Sequence, residues 1–351
     1  MSVQKKTIKK AKKEAKQAVK RSIKKHPFIW IAVIVVILVV LFILTPTTNP
    51  LSVTLNFDSV AEELAIPAYS SKDTIIQHTG YTLSYSEEHE QPYWVAYVLT
   101  ADEVFADASD RNDNFREDPA VPTGSATLAD YQGSGYDRGH LCPAADQAWS
   151  AVAMDDSFFL SNMSPQTHAF NAGIWLNLES AVRTMAAQNQ EICVVTGPVL
   201  TDVPYKTIGA NKVSVPNAFY KVILDYYGAE KKAIGFVLRQ DDKGKLEQFA
   251  VSVDEVERIT GIDFFPQLDD AEEKELEANF DVKLWDLSDF SIKNTSKKYG
   301  YDLSSNGYSE NSAAVAAEAK PQNFKEQVLF FLYKNFSSYK LQVISIIEDF
   351  T

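Results

Sequence analysis

Seventeen consecutive apolar residues, FIWIAVIVVILVVLFIL at positions 28–44, constrain this chain more than any other feature. A stretch with no polar face has nothing to turn towards water, so as a helix it belongs in hydrocarbon. At 1.5 Å per residue it reaches about 26 Å, slightly short of a ~30 Å bilayer core, and Lys24, Lys25 and Thr45 can extend it by interfacial placement. A cleaved signal peptide is the competing reading. The long basic region ahead of the stretch, and TPTTNP at 45–50 with no small-x-small cleavage site, favour a retained anchor. Residues 1–26 hold eleven Lys/Arg against one Glu, which leaves 23 basic and 46 acidic residues for the rest of a chain with formal net charge −13. Basic flanks stay inside, so the chain is expected to be a single-pass membrane protein. Its N-terminus is cytoplasmic and everything beyond Thr45 lies on the outer, periplasmic or extracellular, side. The tail reads as an insertion determinant and a contact for anionic lipid rather than a nucleic-acid arm.

Composition shifts divide the chain further. We expect a basic cytoplasmic tail at 1–27, a transmembrane signal anchor at 28–45, and a linker with a weak helical patch at 46–72. A folded body follows at 73–270, with an extension of it at 271–308. A small-residue polar linker covers 309–322 and an amphipathic helical segment 323–351, which suits packing on the body, on a partner or on a membrane surface. Strand signals at 94–99, 192–196, 219–224 and 233–238 are consistent with neighbours in an antiparallel sheet. Helical stretches near 144–154, 171–188 and 252–260 lie between and after them, and this mixed order predicts an α+β body. Two cysteines, Cys142 and Cys193, are too few for a disulfide scaffold or an all-cysteine zinc site, and their pairing is left open.

The chemistry concentrates between Tyr136 and Arg183. Arg138-Gly139-His140 lies in a segment bounded by turn formers, which can set an arginine and a histidine side by side. Histidine is suited to take a proton from water near neutral pH, and arginine matches the oxygens of a phosphate. Downstream, Asn171, Trp175, Glu179 and Arg183 recur every four residues along an expected helix whose apolar side is Ile174, Leu178, Ala181, Val182 and Met185. A bland account serves that row equally well: Asn171 as an N-cap and Glu179–Arg183 as an i,i+4 ion pair. Asn171 also offers a hard oxygen to Mg²⁺, which often keeps most of its waters, and Glu179 is placed to hold those waters.

With these residues in view, the chain resembles the DNA/RNA non-specific endonucleases of the ββα-metal superfamily, the group of Serratia-type nuclease and endonuclease G. Asp137-Arg138-Gly139-His140 matches the DRGH signature. SNMSPQ at 161–166 and Asn171-x3-Trp175-x3-Glu179-x3-Arg183 match the next two blocks in order and spacing. Further likeness, from Tyr81-Thr-Leu-Ser-Tyr85 to Thr260-Gly-Ile-Asp-Phe-Phe-Pro266, extends it over about 75–270. The resemblance implies a central antiparallel sheet with flanking helices. It implies His140 as general base, Asn171 as the direct ligand of Mg²⁺ (with Mn²⁺ a substitute), and Glu179 as the group orienting metal-held water. Arg138 and Arg183 would stabilise the phosphate, with Arg111 as a further phosphate-binding arginine for which Arg116 competes, and Asn162 would support the site. DNA and RNA are the implied substrates, 5′-phosphate ends the implied products, and a homodimer stays open.

The acidic body sits awkwardly with a polyanionic substrate: residues 120–260 carry 11 basic and 16 acidic side chains, and 77–119 two Arg against ten Asp/Glu. An alternative is therefore a catalytically silent nucleic-acid-binding or scaffolding protein on the same fold, and within the enzymes a phosphodiesterase of narrower substrate range. His78, His89 and His168 are expected outside the site, and the acidic run at 269–273 as solvated surface.

Overall fold

The four strand signals become four adjacent members of one sheet. A computed structural model of the chain describes residues 55, 59–106, 108–201, 205–226, 228 and 230–303, all within the unit Val53–Thr351. The strands are β1 (Thr74–Gln77), β2 (Thr82–Ser86), β3 (Gln91–Thr100), β4 (Asp137–His140), β5 (Met163–Gln166), β6 (Glu191–Pro198), β7 (Lys206–Ile208), β8 (Val213–Val215), β9 (Ala218–Asp225), β10 (Lys232–Arg239) and β11 (Ala250–Val251). Seven of them form an antiparallel sheet in the order β1-β2-β3-β6-β9-β10-β11, and β4-β5 and β7-β8 are separate two-stranded pairs.

Central strands β6 and β9 are apolar on both faces because both faces are covered. Period-two alternation sorts their side chains. Val95, Tyr97, Leu99, Ile192, Val194, Phe219 and Ile223 enter one core with Trp175, Leu178, Val182 and Met185 of a long helix. Trp94, Ala96, Cys193, Val195, Tyr220, Val222 and Leu224 enter a second core on the opposite face, with Val253, Val256, Phe264 and Phe265. The covering helices used below are α1 (Val60–Leu64), α2 (Ala101–Phe105), α3 (Leu176–Asn189), α4 (Val253–Thr260), α5 (Asp270–Ala278) and α6 (Ile292–Tyr299). Ser252 caps α4 by accepting the Glu255 N–H at 3.2 Å, as the sequence Ser-Val-Asp-Glu predicts.

Two expectations change and one open point closes. Residues 60–66, assigned to a linker, form α1 and its exit, and Ala61, Leu64, Ala65 and Ile66 are buried in the second core. The stretch 144–154 is not one helix but a 3₁₀ turn at Ala144–Gln147 followed by a short helix, Ala151–Asp156. Cys142 and Cys193 are both free and lie in different cores, on opposite faces of the sheet, so they do not pair. Trp285, and the partly buried Phe290, Tyr299 and Tyr301, pack on the first core, so residues 285–301 belong to the body. Among the described residues no helix is long and apolar enough to cross a membrane; the segment 28–45, the linker 309–322 and the segment 323–351 lie outside them.

Candidate active site

The β4–β5 hairpin sets the site's first half. It pairs Arg138 with Pro165, Gly139 with Ser164 and His140 with Met163. Gly139 is required by close approach: a Cβ there would lie 2.2 Å from the Gln166 side chain. Strand alternation puts Arg138 and His140 on one side of the hairpin. On that side Phe115 and Phe158 meet the imidazole edge-on, with ring centroids at 5.5 and 5.0 Å. The same two rings carry two arginines, Arg138 4.1 Å over Phe115 and Arg111 5.1 Å over Phe158. The aromatic pair thus pins the histidine and positions a guanidinium on either flank. His140 is only 8% exposed, and its Nε2 is buried without a hydrogen-bond partner. Burial first, then the nearby Arg111 and Arg138 charges, push its pKa down to about 3. The imidazole is therefore neutral at pH 7, the state that accepts a proton.

The helical stretch that follows sets the second half. It begins at His168, bends at Gly173 (φ −112°, ψ −114°) and continues as α3. Asn171 is not an N-cap: its backbone is helical, and Thr167 stands at the cap position. Its Nδ2 donates to Asp137 Oδ2 at 3.0 Å, which leaves the carboxamide oxygen as an acceptor. His168 Nδ1 lies 2.8 Å from the same Asp137 oxygen, so this exposed histidine adjoins the site through Asp137. Trp175 ties the helix to β4 by donating Nε1–H to the His140 carbonyl at 3.4 Å.

The i,i+4 pair of the bland account does not form. Arg183 donates instead to Asp146 Oδ1 at 2.9 Å, and Tyr97 holds the other oxygen of Asp146 at 2.9 Å. Burial pulls Arg183's pKa down, but Asp146 more than offsets it, so the guanidinium is held charged. Glu179 is buried and has no hydrogen-bond partner among the described residues. Burial raises its pKa to about 7 against the pull of Lys221 and Arg183. Lys221, fully buried on β9, donates to Leu141 O at 3.2 Å and Thr196 Oγ1 at 3.1 Å, and lies 4.6 Å over the Trp175 ring. Two cations and two carboxylates therefore share one interior.

These residues suit a divalent cation. The Asn171 carboxamide oxygen and the Glu179 carboxylate are hard oxygen donors, and a carboxylate whose pKa burial raises is stabilised as an anion by a nearby metal. Asn162 has no such freedom: it is fully buried, accepts the Cys142 N–H and donates to Cys142 O and Ser157 O, all at 2.9 Å. It braces the chain after His140. Arg116 is engaged by Asp155 O and Oδ2 at 2.8 Å and stacks 3.9 Å over Phe159, whereas Arg111 reaches the His140 side of Phe158. His78 lies 2.9 Å from buried Asp118, and His89 3.0 Å from Ser214; both serve the scaffold. Sequence reading overlooked Lys221, Asp146, Tyr97, Phe115 and Phe158. A lysine amid the apolar run of β9 was the available signal.

A buried histidine flanked by Arg138 of the same hairpin and by Arg111, with a helix carrying Asn171 and Glu179 beside it, is an arrangement suited to phosphodiester cleavage. Comparison with known proteins agrees. The family model of the DNA/RNA non-specific endonucleases matches residues 62–271. The mitochondrial nuclease EXOG of Danio rerio is 36% identical over 237 residues, covering 63% of this chain and 69% of that protein. Human mitochondrial endonuclease G is 38% identical over 203 residues, 54% and 68% of the two chains. A crystal structure of an EndoG/EndoGI complex superposes with TM-score 0.55 at 31% identity, covering 61% of this chain and 95% of that one. The chain belongs to the DNA/RNA non-specific endonuclease family, a family of metal-dependent nucleases, and it is a nuclease.

Proposed function

We propose that the chain is a membrane-anchored, Mg²⁺-dependent endonuclease that hydrolyses DNA and RNA without regard to sugar and leaves 5′-phosphate ends. The observation that carries the reading is the buried His140, its Nε2 without a hydrogen-bond partner, set between Arg111 and Arg138. In the proposed reaction a water oxygen attacks phosphorus as His140 takes its proton. Arg138 and Arg111 hold the phosphate oxygens as charge develops on them. The P–O3′ bond breaks, and the 3′-oxygen leaves as an alcohol after gaining a proton. Asn171 would hold Mg²⁺ directly and Glu179 would hold its waters; when bound, the ion supplies positive charge at the phosphate and water acidic enough to protonate the leaving oxygen. Arg183, turned to Asp146, is placed to act through the charge of Glu179 rather than as a free phosphate ligand.

The anchor at 28–45, with the body outside, rests on the apolar stretch and the basic tail before it. Protease added to right-side-out vesicles should remove the body; complete protection would reverse the orientation. The enzymatic test is degradation of plasmid and of RNA by the full chain in detergent, with Mg²⁺ or EDTA, beside His140→Ala. Removing a general base costs about 10²–10⁴-fold. Near-wild-type rates in the variant would reject His140 as the base, and no cutting by folded wild-type chain would favour the binding-protein alternative.

A further inference from the structure

We propose a second divalent-cation site, of calcium type, between α4 and α5, on the face of the sheet opposite His140. Asp254 and Glu257 stand one turn apart on α4, and Glu277 stands near the end of α5. One carboxylate oxygen from each lies within 4.8 Å of the other two. Three carboxylates converging in this way are common on surfaces and prove little alone. Glu277 makes the difference: it is only 5% exposed, its Oε1 is buried with no hydrogen-bond partner, and its carboxylate is one of the three that converge. A buried polar oxygen left unpaired costs roughly 1–3 kcal/mol, more when ionised, so its persistence asks for a partner.

The surroundings do not neutralise the cluster. Arg258, the cation on the next turn of α4, is engaged by both oxygens of Glu255 at 2.6 and 2.7 Å. Glu257 is steadied because one of its oxygens accepts the Phe264 N–H at 2.8 Å. The donors are all oxygens, with no histidine or cysteine, which selects a hard cation. Exposed Asp254 leaves one side open to water, and the irregular donor set suits Ca²⁺, which takes six to eight oxygens flexibly, better than Mg²⁺ with its strict octahedron. Val253 and Val256 of α4 pack in the second core while Trp175 and Leu178 of the catalytic helix pack in the first, so the seven-stranded sheet separates this cluster from the catalytic residues. A bound ion would clamp α4 to α5, and its expected signature is stability, not catalysis.

The test is thermal unfolding and calorimetric titration of the full chain in detergent with Ca²⁺ alone. The wild type should gain in Tm, with an affinity in the ~10⁻⁴–10⁻³ M class of open extracellular calcium sites. Asp254→Asn, at an exposed position, should fold normally and keep its Mg²⁺-dependent activity while losing the Ca²⁺ response, and Glu277→Gln should lose it too. Asn171→Ala, which disables the catalytic metal position, should keep it. A wild type unresponsive to millimolar Ca²⁺ overturns the proposal, as does an undiminished response in Asp254→Asn or loss of the response in Asn171→Ala alone.

Discussion

Replacing Lys221 by methionine tests whether the interior behind His140 is a balanced charge cluster. Methionine keeps the length and apolar stem of lysine, so the packing against Trp175 is largely retained and the change isolates the charge. The ammonium loses charge-assisted hydrogen bonds to Leu141 O and Thr196 Oγ1, each worth about 1.5–3 kcal/mol. More costly, Arg183 is left as the cation against buried Asp146 and Glu179. Removing one member of a buried charge set costs about 3–5 kcal/mol, because the remaining charge stays desolvated. Glu179 has an escape: already raised to about 7, it would rise further and take up a proton. Lys221→Met should therefore lose about 3 kcal/mol in urea denaturation at pH 8 and visibly less at pH 6, where protonation is easy. Adding Glu179→Gln to it should recover about 1–3 kcal/mol of that loss. Strict additivity of the two substitutions, or a loss independent of pH, would refute the cluster and leave Lys221 as an ordinary hydrogen-bond donor.

Four further outcomes are expected. Arg111→Ala should lower kcat/KM without changing Tm, whereas Arg116→Ala, which strips Asp155 of its partner, should cost about 1–2 kcal/mol of stability with activity largely kept; equal effects on activity would show that Arg116 also meets the phosphate. His140 has a folded pKa below its ordinary 6.5, so as pH falls the unfolded chain binds the proton first, and stability contributed above pH 6.5 is lost progressively towards pH 3. Wild type should thus weaken by up to about 1.4 kcal/mol per pH unit more steeply than His140→Ala between pH 6 and 5, read from urea midpoints; parallel slopes would count against a neutral buried imidazole. Asp137→Ala removes the group that fixes the Asn171 amide, and it should raise the Mg²⁺ concentration for half-maximal activity about 10–100-fold; an unchanged metal requirement would leave Asn171 oriented by other means. With two or three arginines on the phosphate, log affinity for single strands should fall with log salt at a slope of about −2, and a slope steeper than −5 would require cations elsewhere.

What the sequence showed and what it hid differ in a physical way. Strands β3, β6, β9 and β10 were legible because each is a run of apolar residues between turn formers. His140, Asn171 and Glu179 could be singled out as candidates because each sits in a short block whose internal spacing is fixed by one strand or one helical stretch. The contacts that decide their states were not. Asp146 reaches Arg183 and Lys221 reaches Leu141 across 37 and 80 residues of sequence, and no local period encodes such pairings. What separates Arg111 from Arg116 is which of two adjacent rings each covers, Phe158 or Phe159, and no sequence pattern distinguishes them. Within 46–72 only a weak helical patch was legible, because one short turn of helix has too few residues to show a period, yet the alanines and leucine of residues 60–66 are buried.

The acidic body and the polyanionic substrate are reconciled by where the charges lie. Arg111, Arg138, Arg183 and Lys221 all act on His140 or Glu179, so a chain with a formal net charge of −13 holds a local concentration of cations around the groups to which the proposed reaction assigns its chemistry. The exposed Arg111–Asp113 pair, at 2.7 Å, is worth little in water and can open to a phosphate at small cost. Across the sheet, Asp254 and Glu257, with Asp263 and Glu273 in reach, oppose nucleic acid while no cation is bound among them, and a bound Ca²⁺ would lessen that opposition. A phosphate chain approaching this molecule is favoured at one face and opposed at the other, so weak overall attraction and a well-defined point of attack are compatible in the same protein.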